Sequence, residues 1–127
     1  GSQKMLKEAR RIHQHLPIEF NEHDLRKGLP YPDQSFDLIT SAFFLHGITH
    51  EERTFILNEM KRVAKHGLIL DYFGQRKWFI DLVEFIERGD YFNFIKTFPK
   101  EWSAVYPQHS IFSITENVGV YINIEKQ

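Results

Sequence analysis

Seven histidines and no cysteine set the first chemical question in this sequence. His46 and His50 stand four residues apart, and His13 and His15 two apart, spacings that invite a metal ion. A zinc site needs three or four converging ligands, and two histidines that bracket Gly47 do not share a helical face. No third ligand falls into pattern, so we expect no metal. No Ser-His-Asp set and no paired carboxylates stand at spacings that would argue for a hydrolase. What remains is a scatter of small and polar residues near strand ends: Asp24, Ser41, Ala42, His46 and Asp71. Each has a plain structural reading. Asp24 ends a strand in a loop, Ser41 and Ala42 are small enough for close packing, His46 is a loop histidine, and Asp71 is a solvated strand-end carboxylate.

The elements that must position these residues lie in 29–74, LPYPDQSFDLITSAFFLHGITHEERTFILNEMKRVAKHGLILDYFG. Residues 36–44 are nearly continuous in Phe, Leu, Ile and Ala, which suits a strand covered on both faces in a parallel sheet. Thr49 followed by Glu52 is a capping-box signature and opens a helix over 49–64. Ile56, Met60 and Val63 form its apolar stripe, widened by Phe55. Lys61, Arg62, Lys65 and His66 gather at the negative end of the helix dipole, and Gly67 stands where a left-handed cap belongs. A second strand starts at Leu68. Strand, helix and strand with short joins make a βαβ unit, whose crossover is expected to be right-handed.

Residues 29–46, LPYPDQSFDLITSAFFLH, resemble the central segment of class I S-adenosylmethionine-dependent methyltransferases, in their type 11-like form. There a pattern like LPFPDxSFDLVxSxxxLHH precedes a helix, a KPGG-like turn and a strand. Here AKHG at 64–67 replaces KPGG and keeps the glycine. The likeness is specific across 24–74. It implies an α/β, Rossmann-like fold with a mostly parallel sheet in the order three-two-one-four-five-seven-six, closed by an antiparallel hairpin and flanked by helices. S-adenosylmethionine is the implied cofactor. By position, Asp24 and Leu25 fall where an acidic side chain and a backbone amide meet adenine. Ser41, Ala42 and His46 follow the family's fourth strand, where ligands gather, and Asp71 falls near the methyl acceptor.

The family's glycine-rich loop has no counterpart in these 127 residues. The glycines are residues 1, 28, 47, 67, 74, 89 and 119, and no Gly-x-Gly occurs among them. Residues 5–10 resemble the helix that follows the acidic, ribose-holding position, and that position falls immediately before Gly1. The resemblance thus begins at the second helix and leaves out two strands. We expect residues 1–127 to form one partial methyltransferase-like domain that binds cofactor weakly or not at all. The alternative is a non-catalytic truncated α/β domain that serves as an oligomerisation or partner-binding module. Methyl transfer is mainly the positioning of a nucleophile, so no dedicated acid or base is required. The acceptor is not named by the sequence.

The flanking segments are read from periodicity. Residues 3–16 form a helix with Met5, Ala9, Ile12 and Leu16 on one face, and 18–23 alternate as a short strand. Phe79, Leu82, Val83 and Ile86, widened by Trp78 and Phe85, mark a helix stopped by Gly89. Asp90 caps another that carries Tyr91, Phe94, Ile95 and Phe98 and closes at Pro99. Phe112 and Ile114, then Val118, Val120, Ile122 and Ile124, alternate around a turn at Glu116 and Asn117, a closing antiparallel hairpin. With strands one and two absent, the strand over 36–44 is left with an open edge that neither charge nor proline blunts beyond Asp37. We therefore expect a homodimer through that edge or a strand swap. Sixteen basic against seventeen acidic residues leave a net charge of −1, which favours neither nucleic acid nor an anionic membrane as partner. Zero cysteines, no secretory signal and no membrane-length apolar run fit a cytoplasmic protein.

Overall fold

The computed structural model describes residues 2–74 and 91–123. In chain order it contains helix α1 (Gln3–Ile12), strand β1 (Phe36–Ala42), helix α2 (His50–Val63), strand β2 (Ala64–Tyr72), helix α3 (Tyr91–Val105) and strands β3 (Ser110–Ser113) and β4 (Val118–Asn123). The helix expected from Phe79 to Ile86, and its stop and cap at Gly89 and Asp90, lie outside the described residues. The sheet runs β1-β2-β4-β3. β1 and β2 are parallel, with Ile39 opposite Gly67 and Ala42 opposite Leu70. β4 is antiparallel to β2, and β3 to β4. This is the four-five-seven-six half of the order that the resemblance implies, in an α/β, Rossmann-like fold with a mixed sheet.

Helix α2 starts where the capping box placed it. The Thr49 hydroxyl accepts from Glu52 N at 3.3 Å, and the Glu52 carboxylate accepts from Thr49 N at 3.0 Å. Ile56, Met60 and Val63 are buried as expected, together with Leu57 and Arg53. Phe55 is not part of that stripe. It is 43% exposed, because the buried face follows the 53, 56, 57, 60 spacing and Phe55 falls beside it.

Gly67 is no helix cap. α2 ends at Val63, β2 begins at once at Ala64, and Gly67 lies inside that strand. Gln34 supplies the stop instead. Its backbone N donates to Arg62 O at 2.8 Å, and its side-chain amide donates to Lys61 O and Arg62 O at 3.1 Å each. The last carbonyls of the helix thus find a partner in the preceding loop. The glycine serves packing: a Cβ there would lie 3.0 Å from the Tyr106 hydroxyl and 3.4 Å from Trp102.

One face of the sheet is covered. Gly67, Ile69 and Asp71 of β2 and Gly119, Tyr121 and Asn123 of β4 are buried. Phe98 stacks on Phe94 at 4.5 Å between ring centres and meets Tyr121 edge-on at 4.7 Å. These rings carry α3 across Pro99, where the sequence was expected to close the helix. Pro99 gives up one backbone hydrogen bond, but Trp102 and Val105 continue the buried face beyond it. In the hairpin, the buried face is the one that carries Tyr121, while Val118, Val120 and Ile122 are only partly covered.

β1 differs from the expectation for 36–44. It is an edge strand with Phe36 41% and Leu38 48% exposed, because among the described residues it has one strand neighbour and one covered face. Residues 18–23 form no strand; no ladder partner lies beside them. α1 ends at Ile12 rather than at residue 16, and no residue of it is buried. It touches the coil through Arg10 Nε, which donates to Phe20 O at 3.1 Å. No helix among the described residues is long and apolar enough to cross a membrane.

Candidate functional site

The polar residues near strand ends separate into two groups on either side of the chain that crosses from β1 to α2. In the first group, Asp24 caps a 3-10 turn (Leu25–Lys27) by accepting from Arg26 N at 3.1 Å. The Arg26 guanidinium also binds it, at 3.0 and 3.2 Å. Arg26 thereby holds the Asp24 carboxyl below its usual range, ionised at neutral pH. The loop after this turn is fastened to α2. Leu29 N donates to Glu59 Oε2 at 2.9 Å, and Arg62 donates to Leu29 O and Tyr31 O at 2.9 and 2.8 Å. Gly28 makes the bend at φ +85°, a conformation that suits glycine, with Glu59 packed beneath it.

Two clefts open beside that turn. One of about 720 Å³ is lined by Asp24, Leu25, Phe44, Gly47 and Ile56 among others. The other, of about 280 Å³, lies between Leu25, Ile39, Ser41, Phe44, Ile56 and Met60. Leu25, Phe44 and Ile56 line both. The fold therefore sets Asp24 on the larger cleft and Ser41 on the smaller, with Leu25 on both. Ala42 does not join them; it is exposed on the less covered face of the sheet.

The second group is His46 with Asp71. Asp71 is fully buried at the end of β2, not the solvated strand-end carboxylate that its sequence position suggests. Its Oδ2 accepts from Leu45 N at 3.0 Å and its Oδ1 from Tyr72 N at 2.9 Å. His46 Nδ1 lies 2.9 Å from Oδ1. The backbone turns sharply at Phe43, with φ +50°, and a 3-10 turn (Leu45–Gly47) carries the imidazole back over β2. No sequence spacing pairs two residues on successive strand ends, so periodicity alone could not join them.

A third cluster was missed outright. Arg53 is fully buried in α2 and donates to both oxygens of Glu101 in α3, at 2.8 and 3.1 Å. It also donates to Ile48 O at 2.6 Å. His50 Nδ1 lies 2.5 Å from Glu101 Oε1. Burial alone would raise the Glu101 carboxyl, but its bonds to Arg53 and His50 together hold it below its usual value. The available signal was a cation at position 53, in phase with Ile56, Leu57 and Met60. Among the described residues, no three His, Asp or Glu side chains converge as metal ligands.

Comparison with known proteins extends this geometry. A family model described as a methyltransferase domain matches residues 1–67. The ubiquinone/menaquinone biosynthesis C-methyltransferase UbiE of Pseudomonas fluorescens (strain Pf0-1) is 43% identical over 58 residues, which cover 43% of this chain and 22% of that protein. Its counterpart from Ectopseudomonas mendocina is 41% identical over the same length and shares. The chain thus matches about a fifth of the length of these relatives. A crystal structure of a SAM-dependent methyltransferase from Aquifex aeolicus superposes with a TM-score of 0.61, covering 95% of this chain and 63% of that one. At 16% identity it is a likeness of fold.

Proposed function

This chain belongs to the methyltransferase domain family, and from that premise we propose that it forms the part of a S-adenosylmethionine-dependent methyltransferase that receives the adenine end of the cofactor and presents the acceptor. One observation carries the reading: the adjacent Asp24 and Leu25, and Ser41 from the end of β1, line two clefts that share Leu25, Phe44 and Ile56. The recess fits a purine. In the smaller cleft Leu25, Ile39, Ile56 and Met60 offer apolar surface to its faces, and the ionised Asp24, on the adjoining larger cleft, offers an acceptor for an exocyclic amine. When bound, the cofactor supplies an electrophilic methyl group. His46 and Asp71 lie at the carboxyl ends of β1 and β2, where open parallel sheets collect ligands.

Binding by this chain alone is weak in this reading. The ribose and methionine ends of the cofactor are held in the family by a glycine-rich turn and an acidic residue, and the 127 residues hold no Gly-x-Gly. Calorimetric titration with S-adenosylhomocysteine is expected to give a dissociation constant weaker than micromolar. Sub-micromolar binding would overturn the reading of a partial cradle.

The open edge of β1 supports a second reading, in which the domain pairs with another copy of itself. Antiparallel pairing about Ile39 sets Asp37 opposite Ser41, so no like charges face each other across it. The exposed Phe36 and Leu38 would be covered in the same step. Sedimentation equilibrium at micromolar concentration is expected to give twice the chain mass of 15.2 kDa. A clean monomer would refute it. A dimer without any response to S-adenosylhomocysteine would instead favour the non-catalytic oligomerisation module.

A further inference from the structure

We propose that Arg26 guards the adenine edge of the cleft: its guanidinium holds Asp24 and gives way to a purine amine by moving to the acidic first turn of α2, an inference that rests on the adenine-end reading above. Asp24 accepts from Arg26 N and Nε on Oδ1, at 3.1 and 3.0 Å, and from Arg26 Nη2 on Oδ2 at 3.2 Å. One residue thereby fills three of the roughly four acceptor directions of the carboxylate and matches its charge. Its two side-chain bonds lie across both oxygens, the edge that an exocyclic amine needs. The amine and the guanidinium therefore compete for one acceptor. The contest is an even one, because the Arg26 side chain is 72% and the Asp24 side chain 37% exposed. An ion pair so placed is held weakly. The bond from Arg26 N belongs to the turn itself and stays when the side chain leaves.

A second berth for the guanidinium stands next to the first. Arg26 lines the large cleft together with Asp24 and Glu52, and also a neighbouring one of about 290 Å³ with Glu51, Glu52, Phe55 and Ile56. Arg26 is held above its ordinary value first by its bonds to Asp24 and also by the Glu52 carboxylate, which therefore already acts on it. Thr49 N donates to Glu52 Oε2, so the capping box engages one oxygen of that carboxylate and a guanidinium can take the other. Phe55, 43% exposed and outside the buried stripe of α2, offers a ring face on which a guanidinium stacks. Two carboxylates and a ring thus stand ready for the side chain that the amine displaces. The charge of Arg26 is compensated in both positions, so the exchange turns on the amine. A purine with a carbonyl in its place accepts rather than donates, and gains nothing when Arg26 leaves Asp24. Arg26 is in this way a specificity-determining residue as well as a guard.

The probes are S-adenosylhomocysteine and its carbonyl counterpart S-inosylhomocysteine, each titrated calorimetrically into the chain and into Arg26→Ala. The substitution removes an exposed side chain and leaves the core untouched. Arg26→Ala is expected to bind S-adenosylhomocysteine roughly two- to fivefold more tightly, the range that exposed ion pairs contribute. It should bind S-inosylhomocysteine no more tightly than the unchanged chain does. Arg26→Lys keeps the charge without the fork and should fall between the two. NMR of the Arg26 Nε–H group reads the movement itself: its signal should shift along the same titration curve as the Asp24 amide. Equal or weaker binding of S-adenosylhomocysteine by Arg26→Ala, the same gain for both probes, or an Nε–H signal that stays in place while the ligand binds would each overturn the guard and leave the adenine reading intact. No binding of S-adenosylhomocysteine to any of the three proteins would overturn the adenine reading itself, and the guard with it.

Discussion

Replacing Glu101 with alanine is expected to destabilise the fold by about 3–5 kcal/mol, because it removes a buried carboxylate that pairs with a buried cation. Arg53 is fully buried and donates two hydrogen bonds to Glu101, so the variant removes both of these bonds between α2 and α3. The Arg53 guanidinium also lies 5.4 Å from the centre of the Phe94 ring, so the loss reaches the aromatic core. Denaturant unfolding followed by circular dichroism reads the effect as a lower midpoint. Acid titration gives an independent check. The Glu101 carboxyl is held below its ordinary value of 4.5 in the fold. Its contribution is therefore complete above the unfolded value and lost as pH falls through the lower folded one. Glu101→Ala should lack that part of the acid limb. An unchanged midpoint and acid limb would mean that Arg53 finds other compensation.

The second large effect is expected at Ile56. Ile56→Ala removes buried side-chain volume from the face of α2 that packs on β2 and should cost about 2–5 kcal/mol. Ile56 also lines both clefts, so part of the new space would open toward them, and the cost should fall in the lower half of that range. Lys61→Ala is the contrast. Lys61 stands on the exposed side of the same helix, where its ammonium donates to Val105 O at 2.7 Å and lies 5.9 Å from the centre of the Tyr106 ring. An exposed charge of this kind contributes on the order of 1 kcal/mol or less. Equal, small shifts in midpoint for both variants would mean that the helix packs by a different face.

The βαβ unit was legible because its signals are local. Thr49 and Glu52 state the start of α2 within four residues, and Ile56, Met60 and Val63 state its buried side. The hairpin was legible from strict alternation around Glu116 and Asn117. Where the reading failed, the deciding partner lay far along the chain. Gly67 looked like a helix stop because Gln34, which makes the stop, is separated from it by the whole of α2. Pro99 looked like a helix end because the gain from burying Trp102 and Val105 cannot be weighed against one lost hydrogen bond without knowing what they touch. Residues 18–23 alternate as a strand should, yet alternation supplies no ladder partner. Among the site residues, Asp24, Leu25 and Ser41 came together around the clefts. Ala42 did not, since successive residues of a strand point to opposite faces. His46 and Asp71 were each picked out singly from the family pattern, and their contact across two strand ends belongs to the fold.

The central claim is that the turn at Leu25–Lys27 and the end of β1 make the adenine end of a cofactor site. Amide NMR of the chain during titration with S-adenosylhomocysteine tests it most directly. The account predicts shifts that grow together at Asp24, Leu25 and Ser41, saturate only above micromolar ligand, and leave β3 and the far end of β4 unmoved. No shift at these three positions with millimolar ligand, or shifts centred elsewhere in the fold, would contradict it.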